Sequence, residues 1–149
     1  MFTTTMKALS LLLFTFDIAL TCLALPTQSY GDCTTRYNVT ILNLSLYVNF
    51  DINPSITIRC ASKDKDIGSH VLADRFDSFT WDVCVKKFGE KPVFICDFSF
   101  ENLKAKITVF DQDISKYCKN NACTWIARQK EIFLETPGAT SPWSYTWGS

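Results

Sequence analysis

Residues 55–72 read Ser-Ile-Thr-Ile-Arg-Cys-Ala-Ser-Lys-Asp-Lys-Asp-Ile-Gly-Ser-His-Val-Leu. The first half alternates. Ile56, Ile58 and Cys60 fall on one side, and Thr57, Arg59 and Ala61 on the other. A period of two is the pattern of a strand with one face buried. The alternation stops at Ser62, where Lys63, Asp64, Lys65 and Asp66 place four charges in a row that a core would reject. Gly68 supplies a turn position. An inward cysteine therefore ends a buried strand just before a polar loop, and other strands with inward cysteines lie on both sides of it.

The same period recurs in both directions. Upstream, Val39 and Ile41 alternate with Asn38 and Thr40 in a strand over residues 37–44. Leu46, Val48, Phe50 and Ile52 continue it as one bent strand or two short ones, until Asn53-Pro54-Ser55 turns the chain. Downstream, residues 71–75 are ambiguous. Phe79, Trp81, Val83 and Val85 then alternate with Thr80, Asp82, Cys84 and Lys86, which puts Cys84 on the polar face. Gly89-Glu90-Lys91-Pro92 makes a turn. Phe94, Cys96, Phe98 and Phe100 share a face, as do Ala105, Ile107 and Val109. After a polar loop over 111–121 come Cys123, Trp125 and Ala127, and a last strand over 132–134. No helical period competes. The pattern predicts an all-β fold, a small disulfide-stapled antiparallel β-sandwich of about seven to eight strands over residues 33–135. Residues 136–149 turn to Pro, Gly, Ser, Thr and aromatics and read as a loosely ordered C-terminal tail.

The first residues are a different material. Lys7 precedes an apolar run that only Asp17 interrupts strongly, the composition of a secretory signal peptide over 1–24, with cleavage after Ala24 or as late as Ser29. A transmembrane anchor would hold Asp17 near its middle at a cost of roughly 2.5–3.5 kcal/mol. Either cut removes Cys22 and leaves six of the seven cysteines. An even number in a small secreted domain reads as a disulfide framework. Zinc at Cys118 and Cys123 is disfavoured, because no Cys-x2-Cys is present. Cys60, Cys96 and Cys123 share parity with inward apolar residues, and Cys118 lies on the loop before Cys123. Pairing Cys118 with Cys123 would close a tiny loop and leave Cys60 with Cys96. The nested set Cys60–Cys123 and Cys96–Cys118 ties distant strands, removes more unfolded-chain entropy and is the favoured pairing. Outward Cys84 and the preceding Cys33 make a third bridge.

Catalytic chemistry is hard to find. His70 is the single histidine, so the two-histidine acid–base pair of a secreted ribonuclease is excluded. No Gly-x-Ser-x-Gly elbow accompanies it, and it reads as an ordinary loop residue. The pairs Asp64/Asp66 and Asp111/Asp113 are interleaved with Lys or Gln and lack an EF-hand pattern. The expectation is no enzyme, no metal and no cofactor. A formal net charge of zero gives no electrostatic reason for a nucleic-acid partner, and no segment remains to enter a membrane after signal cleavage. Two sequons stand near the first strand, at Asn38 and Asn43. Parity turns Asn38 outward. Asn43 would face in unless the strand turns there, so Asn38 is the better acceptor.

Four stretches carry a family resemblance. They are Cys-x-Ser-Lys-Asp-x-Asp-Ile-Gly from Cys60, followed by Val71-Leu72; Phe94-Ile95-Cys96-Asp97-Phe98; Cys118 with Cys123-Thr124-Trp125; and Val39 to Leu44. Taken in their order along the chain, from Val39 to Trp125, they resemble the plant self-incompatibility family, the stigmatic S-proteins and their homologues. Three departures stand out: Phe100 where many members have Trp, Gln129-Lys130-Glu131 where a glycine is common, and Cys33 and Cys84 beyond the usual four cysteines. The resemblance implies an antiparallel β-sandwich. It also implies a secreted, extracellular signalling ligand, since the stigmatic members meet a membrane receptor on incompatible pollen. The expected partner is a plasma-membrane receptor or other cell-surface protein, met by a monomer. Candidate contact residues are Lys63, Asp64, Lys65 and Asp66 on the loop 62–69, and Asp111 and Asp113 on the loop 111–121. The competing reading is a secreted defence or carbohydrate-binding protein with Trp143 and Trp147 stacking on sugars. N-terminal sequencing of protein exported from plant cells should find a start between Leu25 and Tyr30; an intact Met1 on a membrane-retained product would overturn the leader.

Overall fold

The structure is a computed structural model that describes residues 33–46, 55–138 and 140–148. The leader, and the apolar set Val48, Phe50 and Ile52, lie outside these residues. Among the described residues nine strands form in order: β1 (Cys33–Asn43), β2 (Ile56–Ala61), β3 (Asp66–Leu72), β4 (Ser78–Lys86), β5 (Phe94–Phe100), β6 (Leu103–Phe110), β7 (Ala122–Ala127), β8 (Glu131–Leu134) and β9 (Ser144–Thr146). One 3-10 turn, Ile114–Tyr117, sits between β6 and β7. The strands build two sheets, β4-β1-β7-β8-β9 and β3-β2-β5-β6. Every pairing is antiparallel except β1 with β7, which run parallel.

The period of two places the core. Val39, Ile41, Trp81, Val83, Trp125, Ile132 and Leu134 come from the first sheet, and Ile56, Ile58, Phe94, Phe98, Ile107 and Val109 from the second; all are buried. Trp125 is fully buried, and its indole Nε1 donates to the Val109 carbonyl at 2.7 Å, from β7 across to β6. Val109 is free to accept because the β5–β6 register slips there: Phe94 faces Phe110 and Ile95 faces Thr108. A bulge of this kind leaves one residue outside the ladder.

Both long sides of the sandwich are sealed. On one, His70 of β3 stacks on Phe79 of β4 with ring centroids 3.5 Å apart, and its Nε2 lies 3.0 Å from the Ile67 carbonyl. The expectation of a loop histidine is corrected here: His70 is opposite Ile58 in a paired strand. The charged loop is accordingly shorter than expected, since Asp66 already belongs to β3. On the other side, the stretch read as a loose tail adds β9 to β8. Gly148 then exchanges two 2.9 Å backbone hydrogen bonds with Lys104 at the β6 edge. Trp147 packs on Phe98 and Phe100, and its Nε1 donates to the Arg128 carbonyl. The aromatic residues of this segment close an edge that would otherwise stay open.

The disulfides require a second correction. Cys33 is bonded to Cys84, but the core cysteines pair as Cys60–Cys96 and Cys118–Cys123, not in the nested arrangement. Cys60 and Cys96 are direct register partners on adjacent antiparallel strands, with Cα atoms 4.1 Å apart. Cys123 belongs to the other sheet. The turn after the 3-10 segment brings Cys118 within 4.5 Å of Cys123, Cα to Cα. Chain entropy favours distant pairings, but geometry decides which sulfurs meet. The sequence separations of 51, 36 and 5 residues correspond to about 4, 4 and 2 kcal/mol of unfolded-state restriction. Replacing Cys60 and Cys96 together by Ala should therefore destabilise by roughly twice as much as replacing Cys118 and Cys123, read by urea denaturation. Non-reducing peptide maps should link Cys60 to Cys96; a Cys60–Cys123 peptide would overturn the sheet assignment.

Candidate functional site

Strand register places three connections at one end of the sandwich. The start of β1 lies beside the end of β4, through Cys33 and Lys86. The end of β2 lies beside the start of β5, through Ala61 and Ile95, and Phe94 faces Phe110 at the end of β6. The turn 62–65, the connection 87–93 and the connection 111–121 therefore emerge together. All three register slips also occur here: at Cys33/Thr35, Cys60/Ala61 and Phe94/Ile95. Bulges bend and twist the strands they interrupt, so the strand ends at this end depart from regular pairing.

Between the turn 62–65 and the connection 87–93 runs an open groove of about 980 Å³. Phe88 stands on its rim, 79% exposed, with the Lys87 ammonium 5.4 Å from its ring centroid. A second hollow of about 390 Å³ lies on the other side, lined by Cys33, Thr34, Lys86, Lys87 and Phe88. Val93 and Ile95 add exposed apolar surface to the larger groove. Lys63 and Glu90 form a 3.0 Å ion pair from turn to connection. Both side chains are more than 70% exposed, so the pair is worth about 0–1 kcal/mol and holds the groove only loosely. Lys91 Nζ donates to the Lys86 and Lys87 carbonyls and shapes the connection. The Cys33–Cys84 bridge anchors its root.

The residues singled out from sequence are distributed unevenly. Lys63, Asp64 and Lys65 line the groove. Asp66 pairs with Arg59 at 3.2 Å and accepts from the Gly68 N–H, where φ is +90°. Its carboxylate thus fixes the β3 bulge. Asp111 accepts from the backbone N–H groups of Asp113 and Ile114, capping the 3-10 turn. Asp113 receives Lys116 Nζ at 2.6 Å, and this bond holds the Lys116 ammonium above its ordinary pKa. Burial, and then the Asp111 charge, push the Tyr145 phenol up. These carboxylates are committed to local structure. Among the described residues no three His, Cys, Asp or Glu side chains gather as a metal site, and no helix is long and apolar enough to cross a membrane.

Phe88 and its connection were missed. Gly89-Glu90-Lys91-Pro92 read as a plain turn, although an aromatic set among Lys86, Lys87, Glu90 and Lys91 was the available signal. Trp143 and Trp147, suggested as sugar-stacking platforms, are half-buried instead. Trp143 meets Tyr117 edge-on, and Trp147 faces the core.

The two sequons separate. Asn38 is exposed on the outer face of the first sheet. Asn43 is fully buried; its Nδ2 donates to the Leu72 carbonyl at 3.1 Å and its Oδ1 accepts from the Ser45 N–H at 2.9 Å. Its backbone also receives the Phe76 N–H and donates to Asp77. A glycan on Asn43 would have to break this hub, so Asn38 is the better-placed acceptor of the two.

The fold and this end define a small disulfide-bridged β-sandwich whose connections 62–65, 87–93 and 111–121 emerge together. The chain belongs to the plant self-incompatibility protein S1 family, whose model matches residues 39–147. Neither the curated proteins nor the solved structures searched gave a match.

Glycopeptide mapping of the exported protein should find sugar on Asn38 and none on Asn43. Asn43→Ala should cost about 1–3 kcal/mol in denaturation, the penalty for orphaning buried partners, whereas Asn38→Gln should leave stability unchanged.

Proposed function

We propose that this protein is a secreted S-protein homologue that acts as a signalling ligand, recognising a plasma-membrane receptor or another cell-surface protein. The observation that carries the reading is the end built from 62–65, 87–93 and 111–121, with Phe88 fully presented beside a groove. Exposed aromatics ringed by polar groups are the side chains that dominate protein interfaces, and loops on a rigid scaffold are where recognition concentrates. Family membership supports the same reading, because self-incompatibility proteins work by recognition between proteins. The scaffold is rigid where it needs to be: Cys33–Cys84 and Cys60–Cys96 sit at the roots of the connections. The carbohydrate-binding reading loses its motive once Trp143 and Trp147 are engaged with the domain.

Labelled protein, purified from plant culture medium, should bind intact protoplasts saturably, and protease treatment of the protoplasts should abolish the signal. Replacing residues 87–92 with a Gly/Ser loop should weaken binding by roughly tenfold or more, the loss of an aromatic anchor, while circular dichroism shows the domain still folded. Binding to isolated wall polysaccharide that survives protease treatment would instead support the carbohydrate reading.

A further inference from the structure

The groove has a charge pattern that the whole chain does not share. Formal net charge over the chain is zero. The larger groove, however, is lined by six basic and four acidic side chains, and Lys87 adds a seventh base from the adjoining hollow. Several of these charges are already matched. Lys63 meets Glu90, and Lys106 meets Asp97 at 3.8 Å on the outer face of the second sheet. Arg36 meets Asp82 at 3.5 Å, and Arg59 meets Asp66. Among the described residues, Lys65, Lys86 and Lys87 make no ion pair. Lys86 lines both the groove and the hollow. Lys91 gives its ammonium to backbone carbonyls, so three ammonium groups without an ion pair, Lys65 in the groove and Lys86 and Lys87 beside Phe88, stand against one such carboxylate, Asp64, with the apolar surface of Val93 and Ile95 in the same groove.

We infer that the groove receives an acidic, extended segment of a partner protein, its carboxylates meeting Lys65, Lys86 and Lys87 and one of its apolar side chains packing against Phe88. The inference rests on the recognition reading above and names the chemistry of the partner. Three features select a peptide. Unmatched positive charge on an otherwise neutral molecule attracts a negative partner and sets its orientation. An exposed apolar ring on the rim of the charged groove asks for a side chain, not a headgroup, as its neighbour. Interleaved acids, Asp64, Glu90 and Asp97, would repel a uniformly anionic lipid surface, whereas a segment can place its own groups between them. The Lys63–Glu90 pair is cheap to open, so entry of a segment needs no change in the sheets.

The test uses the full exported protein and three probes: a short fluorescent peptide with leucine flanked by glutamates and aspartates, the same peptide with lysines in place of the acids, and phosphatidylserine vesicles. The acidic peptide should bind, and the lysine peptide should not. The combined change Lys65→Glu, Lys86→Glu and Lys87→Glu should weaken acidic-peptide binding by roughly tenfold or more and flatten its salt dependence. Phe88→Ala should weaken it by roughly tenfold at unchanged salt dependence. Lys116→Glu and Lys119→Glu together, on the 111–121 connection, should leave it unchanged. No binding of the acidic peptide, equal binding of both peptides, or binding of vesicles alone would overturn the inference. Protoplast binding separates the two levels. If the Lys65, Lys86 and Lys87 reversal leaves protease-sensitive protoplast binding intact, the docking inference fails and the recognition reading stands. If the unaltered protein shows no protease-sensitive binding at all, the recognition reading itself fails.

Discussion

The bond from the Trp125 indole to the Val109 carbonyl organises the sandwich. Trp125 is the largest fully buried side chain, and a buried indole N–H without a partner would be costly. The partner comes from the opposite sheet, at the residue that the β5–β6 slip releases from its ladder. One irregularity thus gives the Trp125 indole its acceptor and interrupts the end of β6. The same interruption precedes the 111–121 connection, whose own anchor is buried Ile114. The order of causes runs from a tryptophan that needs an acceptor, to a bulge that supplies one, to a sandwich end where regular pairing stops.

The disulfides follow from that geometry rather than shaping it. Cys60 and Cys96 face each other because Ile58 faces Phe98 and Ala61 faces Ile95 in the same register. Cys118 reaches Cys123 because Asp111 caps the turn that precedes it. Cys33–Cys84 joins two strands already paired, at the point where β1 slips past Thr34. Each bridge closes a contact the fold has made and then limits the unfolded chain. The three together place covalent links near the roots of the connections at the groove end.

Much of this architecture is legible in the sequence. Alternation found β2, β4, β5 and β7 almost to the residue, because a half-buried strand writes its two faces directly into the sequence. It also told Asn38 from Asn43. What it could not convey was adjacency. Parity says that Cys60, Cys96 and Cys123 face a core, but not which of them share a sheet; an entropy argument was then asked to choose, and it chose wrongly. The parallel β1–β7 pairing was equally hidden, since a strand's own pattern carries no partner direction. The residues after 136 misled for another reason. Pro, Gly and Ser look like a loose end, yet Trp143, Tyr145 and Trp147 alternate at the strand period, and that period was outweighed by composition. Phe88 was overlooked because turn residues around it were read for their backbone and not for what they display.

The two ends of the molecule are built to different rules. At the end away from the groove, buried Asn43 spends its side chain and backbone on Leu72, Ser45, Phe76 and Asp77, so the β3–β4 turn is fixed from within. At the groove end the polar groups face water, their ion pairs are exposed and individually weak, and the fixed points are covalent. A side chain changed at Asn43 alters the fold. A side chain changed at Lys65, Lys87 or Phe88 alters only what the surface presents, because nothing buried depends on it. That separation leaves the exposed side chains of the connection 87–93 open to change at little cost to the sandwich.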